Sequence, residues 1–191
     1  MSDNKTRCPW CLGSELMMKY HDEEWGVPLF DDQKLFEFMV LDGFQAGLSW
    51  STILNKRENF RKAFDNFDAV KISRYNDAKK AELMQDAGII RNRLKIEAVV
   101  TNAKAFLETQ REYGTFSKYI WSFTGGKPLI HHLKDQKEIQ ARTEVSDAMS
   151  KALLKRGFKF VGSTLCYAFM QASGMVMDHL ESCHRYQALK S

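Results

Sequence analysis

Apolar residues along this chain recur with the period of a helix far more often than with that of a strand. Between residues 94 and 107, Ile96, Val99, Val100, Ala103, Phe106 and Leu107 fall at i, i+3, i+4, i+7, i+10 and i+11, one face of an α-helix. Ile53, Leu54, Phe60 and Phe64 draw a similar stripe after Trp50, with Lys56, Glu58, Arg61 and Lys62 on other faces. Asp31 and Asp32 offer N-caps to a helix through Leu35, Phe36, Met39 and Val40. Asn76-Asp77 can start another, running through Ala81 and Met84 toward Gly88. Residues 146–156 read as a helix stopped by Gly157; a further helix follows, with Val161, Thr164, Leu165, Ala168 and Ala172 on one face. No hairpin dipeptide separates two alternating runs, so strands are not expected. The best loop candidate begins at Thr124-Gly125-Gly126-Lys127-Pro128 and reaches about Arg142. The pattern predicts an all-α protein of roughly seven to ten helices, with no internal repeat and no linker.

A length of 191 residues suits one domain, 1–191, in which two helical lobes are fused. The 44% hydrophobic and 27% charged fractions exclude disorder and low complexity. The apolar run Phe38-Met39-Val40-Leu41 falls far short of a membrane span. The polar start MSDNKTRCPW lacks the apolar stretch of a signal peptide. A cytoplasmic protein with no membrane contact is expected. With 28 Lys+Arg against 24 Asp+Glu the net charge is +4, which permits nucleic-acid binding without implying it.

Four cysteines in such a chain point to thiols or metal rather than disulfides. Metal-competent side chains gather at the two ends: Cys8, Cys11 and His21, then His179, Cys183 and His184. His179 and Cys183 are four apart and would share a helical face, so both can reach one ion. Two cysteines and two histidines would make a closed tetrahedral Zn²⁺ site of the structural kind, tying together two segments prone to fray. Spacing alone leaves unrelated core and surface residues as an equal alternative. Cys166, between Leu165 and Tyr167, reads as a small core residue. Cys8-Pro9-Trp10-Cys11 has the form of a redox dithiol, but only seven polar residues precede it, where that chemistry needs a core strand.

Two junctions combine glycine with positive charge. Gln85 to Arg93 carries Gly88, Arg91 and Arg93, followed by Lys95, just before the long helix. Lys151 to Lys159 carries Lys151, Lys155, Arg156 and Lys159 with no acid, then passes through Gly162 into the next helix. A glycine turn at a helix N-terminus presents free N–H groups to a phosphate oxygen, so both suit backbone contact with DNA. Solvated helix ends would look the same.

Trp10, Tyr20, Trp25, Phe44 and Trp50 crowd the first quarter of the chain, beside Asp22, Glu23, Glu24, Asp42 and Gln45. Aromatic plates with a carboxylate between them suit a flipped, positively charged base. Here six blocks become recognisable in order: Tyr20 to Pro28, Gln45 to Trp50, Lys56 to Phe60, Asp86 to Arg91, Trp121 to Phe123, and Lys155 to Gly162, ending at Asp178-His179. They resemble the 3-methyladenine DNA glycosylase I family over nearly the whole chain, the loop from about 124 to 142 excepted.

The resemblance implies an all-α fold of the helix-hairpin-helix superfamily, with the hairpin at the Gly88–Arg93 turn. It implies a structural zinc that clasps the termini through Cys8, His21, His179 and Cys183, leaving Cys11 and His184 as bystanders. It also implies a base pocket that includes Tyr20 and Trp50, with Trp10 and Trp25 nearby; DNA-backbone contact at Gly88, Arg91, Arg93 and Lys159 is expected from the two basic glycine turns. Asp42 stands where well-known members carry a pocket glutamate, one methylene longer, and Met17 stands where an aromatic often lines the pocket.

The expected activity is excision of 3-methyladenine from alkylated double-stranded DNA by a monofunctional enzyme, with no protein partner. The methylated base is already cationic, so its glycosidic bond is primed to break and little acid catalysis is needed. Asp42 would accept hydrogen bonds from the base and favour its charge. No aspartate occurs from Ala87 through Lys134, which argues against the catalytic aspartate that many helix-hairpin-helix glycosylases place downstream of the hairpin. The alternative is a non-catalytic, zinc-stabilised DNA-damage-binding module in which Asp42 replaced a needed glutamate.

Overall fold

The computed structural model describes residues 5–190. The helices are α1 (Glu15–Glu23), α2 (Asp32–Gln45), α3 (Trp50–Ala63), α4 (Ala69–Ile72), α5 (Asp77–Gln85), α6 (Arg93–Tyr113), α7 (Phe116–Trp121), α8 (Glu144–Lys155), α9 (Ser163–Ala172) and α10 (His184–Leu189). Ten α-helices among the described residues agree with the periodicity. The caps fall where polar side chains allow. Asp31 accepts from the Lys34 amide, Asn76 from Lys79, and Asn92 from Lys95.

Helix α2 is the axis of the molecule. Residues Leu35 to Asp42 are all buried, so the run Phe38 to Leu41 belongs to a helix enclosed on every side. It packs against α3, α6, α7 and α9. Phe44 of α2 packs with Phe60, Phe64 and Phe67 in one cluster that continues into the α6 face of Ile96, Val99, Ala103 and Phe106.

Two expectations need correction. The buried residues of α9 are Cys166, Tyr167, Phe169, Met170 and Ala172; Thr164 is exposed and Leu165 only partly covered. Packing on α2 and α8 turns the helix so that Ala168 and Ala172 face a cavity instead. The 124–142 loop also contains a strand, β1 (Leu129–Ile130), paired in parallel with β2 (Val176–Met177), and a further bridge joins Leu133 to Leu180. Two-residue strands carry no readable alternation.

One close approach brings the C-terminal third onto the N-terminal segment. Gly26 donates to the Gln171 carbonyl and Leu29 to that of Ser173. Gly174 makes this possible: its φ is +70° and an added Cβ would lie 2.2 Å from the Val27 carbonyl carbon.

Candidate base pocket and metal centre

The aromatic residues of the first quarter do meet. Trp10, Tyr20, Trp25 and Trp50 line a cavity of about 210 Å³ together with Asp42, Gln45, Ile139, Ala168, Gln171 and Ala172. That volume lies below the roughly 300–1,000 Å³ of drug-sized sites, so it suits one heterocycle. Tyr20 and Trp50 meet at a tilt of 49° with ring centroids 5.2 Å apart, and Trp10 meets Trp25 edge-on at 5.0 Å.

Asp42 projects from the enclosed helix α2 into this cavity at 4% exposure. Among the described residues no group donates to it, and its Oδ2 is a buried atom without a partner. Burial pushes its carboxyl well above the ordinary range. Burial also raises the Tyr20 hydroxyl, helped by the neighbouring Asp42 charge. The indole N–H groups of Trp10 and Trp50 are likewise buried and unpaired. Native proteins rarely leave such atoms orphaned, and here three of them line one cavity.

Lys95 departs from expectation. Instead of facing solvent with Arg91 and Arg93 it is buried, and its Nζ donates to the Phe44 carbonyl at 2.9 Å and to Ala46 at 2.8 Å. It thereby satisfies carbonyls at the end of α2 and holds the turn between Asp42 and Trp50. Met17 is buried in the core and does not line the cavity. Ile139 and Gln171, which do, were not foreseen. Ile139 lies in the loop without a match, and Gln171 is a lone polar residue between the Lys155–Gly162 block and Asp178-His179.

Cys8, His21, His179 and Cys183 also converge. Their ligand atoms all lie within 4.8 Å of one another, and all four residues are buried. His179 Nδ1 is 3.2 Å from His21 Nε2, 3.7 Å from Cys183 Sγ and 3.8 Å from Cys8 Sγ. The remaining ring nitrogens are fixed from outside. His21 Nδ1 bonds Asp22, itself gripped by Arg7, and His179 Nε2 donates to the Trp25 carbonyl at 2.9 Å. Such outer partners select the tautomer that points a lone pair inward. The two cysteines are strongly coupled: the hydrogen bond from Cys8 draws the Cys183 thiol far down, and the same bond holds Cys8 up. This donor set suits a single metal ion. Cys11 stands aside, donating to the Cys8 carbonyl, and burial pushes its thiol up to about 11. His184 bonds the Thr6 carbonyl instead.

At the surface, Arg91 and Lys159 are exposed, and Arg93, also exposed, pairs with Glu97. The Gly88 amide is not free: it donates to Asp86 Oδ1 at 2.7 Å, so the Gly88–Arg93 turn offers cationic side chains rather than that N–H group. Arg156 is also engaged, on Glu112 and the Tyr113 hydroxyl. The 157–162 turn is clamped by Asn102, which accepts from the Lys159 amide and donates to its carbonyl. Gly162 begins α9 with no side-chain cap.

An aromatic cavity for one heterocycle, with a buried carboxylate and set in a helical bundle, defines a class of protein that receives a single base. Among the described residues no helix is long and apolar enough to cross a membrane. The chain belongs to the methyladenine glycosylase family, whose model matches residues 10–186. It is 51% identical over 178 residues to DNA-3-methyladenine glycosylase of Haemophilus influenzae, covering 93% of this chain and 96% of that one. It is 49% identical over 184 residues to DNA-3-methyladenine glycosylase 1 of Escherichia coli, covering 96% and 98%. A crystal structure of 3-methyladenine DNA glycosylase I superposes with a TM-score of 0.91 at 47% identity, covering 94% of this chain and 98% of that one. The same enzyme from Staphylococcus aureus, described for its recognition of 3-methyladenine, gives 0.90 at 34% identity, covering 93% and 95%.

Proposed function

We propose that this protein is a DNA glycosylase that flips 3-methyladenine out of alkylated double-stranded DNA and hydrolyses its N-glycosidic bond. The observation that carries this reading is the set of three orphaned polar atoms, on Asp42, Trp10 and Trp50, in one aromatic cavity. An N3-methylated adenine supplies what each lacks. Its exocyclic amine donates to a carboxylate, its ring nitrogens accept from indole N–H groups, and its positive charge compensates an ionised Asp42.

In the reaction Tyr20 and Trp50 stack against the extruded base, with Trp10 and Trp25 completing the wall. Asp42 is the catalytic carboxylate. Holding the cationic base in place of water, it keeps the leaving group charged until the C1′–N9 bond breaks and the electron pair departs with the base. Water then adds to the oxocarbenium-like sugar carbon, loses a proton, and leaves an abasic site. No lysine nucleophile enters. DNA is held by the Arg91, Arg93 and Lys159 side chains, with the Gly88 turn shaping the contacts at Arg91 and Arg93 and the uncapped start of α9 adding amide donors beside Lys159. The whole of 1–191 acts as one domain, of the helix-hairpin-helix kind.

The metal is Zn²⁺ in a structural role. Bonds of about 2.3 Å to sulfur and about 2.0–2.1 Å to nitrogen place tetrahedral edges at roughly 3.3 Å for N–N and roughly 3.5 Å for N–S. The cluster shows 3.2 Å between nitrogens and 3.5 to 3.8 Å between nitrogen and sulfur. Held by Cys8, His21, His179 and Cys183, the ion would have no open position and would supply a clasp rather than chemistry.

Purified protein incubated with methylated DNA should release free 3-methyladenine well above heat-induced depurination. DNA binding without release would instead establish the non-catalytic module.

A further inference from the structure

Gln171 is the polar residue that α9 presents to the cavity, between Ala168 and Ala172. Its Nε2 donates to Asp178 Oδ2 at 2.7 Å. Asp178 is 1% exposed and lies outside the cavity wall. The same Oδ2 accepts from the Tyr167 hydroxyl at 2.7 Å, and Oδ1 is 2.7 Å from His131 Nδ1. Three donors converge on one carboxylate, which accepts and does not donate. This fixes which end of the Gln171 amide faces Asp178, an assignment that side-chain shape alone would leave open. Oε1 is therefore turned away from Asp178, and no group among the described residues donates to it.

We propose that Gln171 Oε1 is a specificity-determining acceptor for the exocyclic amine of the bound purine, with Asp178 as the positioning residue that keeps a carbonyl rather than an amide N–H turned to the cavity. This deepens the glycosylase reading and rests on it. A 6-amino purine offers a second proton beyond the one that Asp42 takes. A 6-oxo purine such as 3-methylguanine places a carbonyl against the Gln171 carbonyl, leaving two buried acceptors facing each other without a proton. Asp42 alone cannot enforce that choice, because a carboxylate that gains a proton becomes a donor. The Gln171 amide cannot change in this way, and its orientation is held by a buried group.

The experiment is a tryptophan fluorescence titration of the full chain with free 3-methyladenine and free 3-methylguanine, with metal content measured for every variant. The wild-type protein should bind the adenine more tightly. Gln171→Leu, similar in size but without the acceptor, should weaken 3-methyladenine binding roughly tenfold while leaving 3-methylguanine little changed. Asp178→Asn can donate to Oε1, so the Gln171 amide reverses and presents N–H to the cavity. The ratio of the two affinities should then shrink by roughly tenfold or invert, with metal content and helicity unchanged. An unchanged ratio in Gln171→Leu would overturn the proposal, as would an Asp178→Asn protein weakened equally toward both bases, the mark of a merely structural role. If Asp178→Asn fails to fold, Gln171→Leu decides alone. Wild-type protein that binds neither base would defeat the glycosylase reading itself, a result distinct from either.

Discussion

Replacing Asp42 with asparagine should move base affinity and stability in opposite directions. The side chain keeps its size and its place on α2, but it loses the charge and one acceptor. Hydrogen bonds to charged groups contribute about 1.5–3 kcal/mol, so free 3-methyladenine should bind roughly ten- to hundredfold more weakly. Trp10, Trp25 and Trp50 line the cavity, so their fluorescence reports the titration directly. Stability follows from the raised carboxyl of the empty pocket, where burial is the cause. A group with a raised folded-state pKa contributes stability that is fully present below its unfolded pKa and lost as pH rises through its folded value. Each pH unit between those two values removes about 1.4 kcal/mol from the wild-type protein and nothing from Asp42→Asn. Urea unfolding at pH 4 and pH 7 should therefore show the variant gaining on the wild type as pH rises. A variant that binds the base as tightly as the wild type would refute the assigned role of the carboxylate. A stability difference that does not change with pH would refute the claim that Asp42 is buried without compensation.

Gly174→Ala must adopt a left-handed backbone and press a methyl group onto the Val27–Pro28 peptide. It should lose about 2–5 kcal/mol in chemical unfolding, and a loss under 1 kcal/mol would show that the two segments can separate cheaply. Asn102→Ala frees both backbone groups of Lys159, so it should cost about 1–3 kcal/mol and weaken duplex DNA binding in gel-shift assays. Binding of the free base by that variant should stay unchanged, since Asn102 does not line the cavity. Removing the metal should abolish base binding together with much of the thermal stability. Cys11→Ala should retain one metal ion per chain by atomic spectroscopy.

The helices that build the core were legible because each carries its own signal: a stripe at period 3.6, or a capping side chain such as Asp31 or Asn76. The central position of α2 was implicit in the run Phe38 to Leu41, which has no polar face to give to solvent. The cavity walls Trp10, Tyr20, Trp25, Asp42 and Trp50 were marked by the crowding of aromatics and acids in the first quarter and then by the family resemblance, since no spacing rule joins residues on separate segments. Lys95 misled because a basic residue at a helix start reads as solvated; only the tertiary placement of the Phe44 and Ala46 carbonyls draws it inward. Gln171 and Ile139 had no local signal at all. Their place in the cavity depends on where α9 and the 129–142 segment dock, through contacts as short as two strand residues.

The dependence of the pocket on the metal follows from how the two sets of residues interleave. Trp10 lies between Cys8 and Cys11 on one short turn, and Tyr20 is followed at once by His21 on α1. Adjacent helical residues point about 100° apart, so α1 offers one face to the cavity and the next to the metal cluster. The Trp25 carbonyl orients His179, and Asp178, which orients Gln171, is the residue before it. Asp42 and Trp50, by contrast, hang from α2 and α3, which are fixed by the phenylalanine cluster and by Lys95. Chelation should therefore dismantle one half of the pocket and spare the other. Far-UV circular dichroism should retain most of its helical signal while 3-methyladenine no longer quenches tryptophan fluorescence, and the quenching should return when Zn²⁺ is supplied. A metal-free protein that still bound the base with native affinity would show that the aromatic wall stands without its clasp.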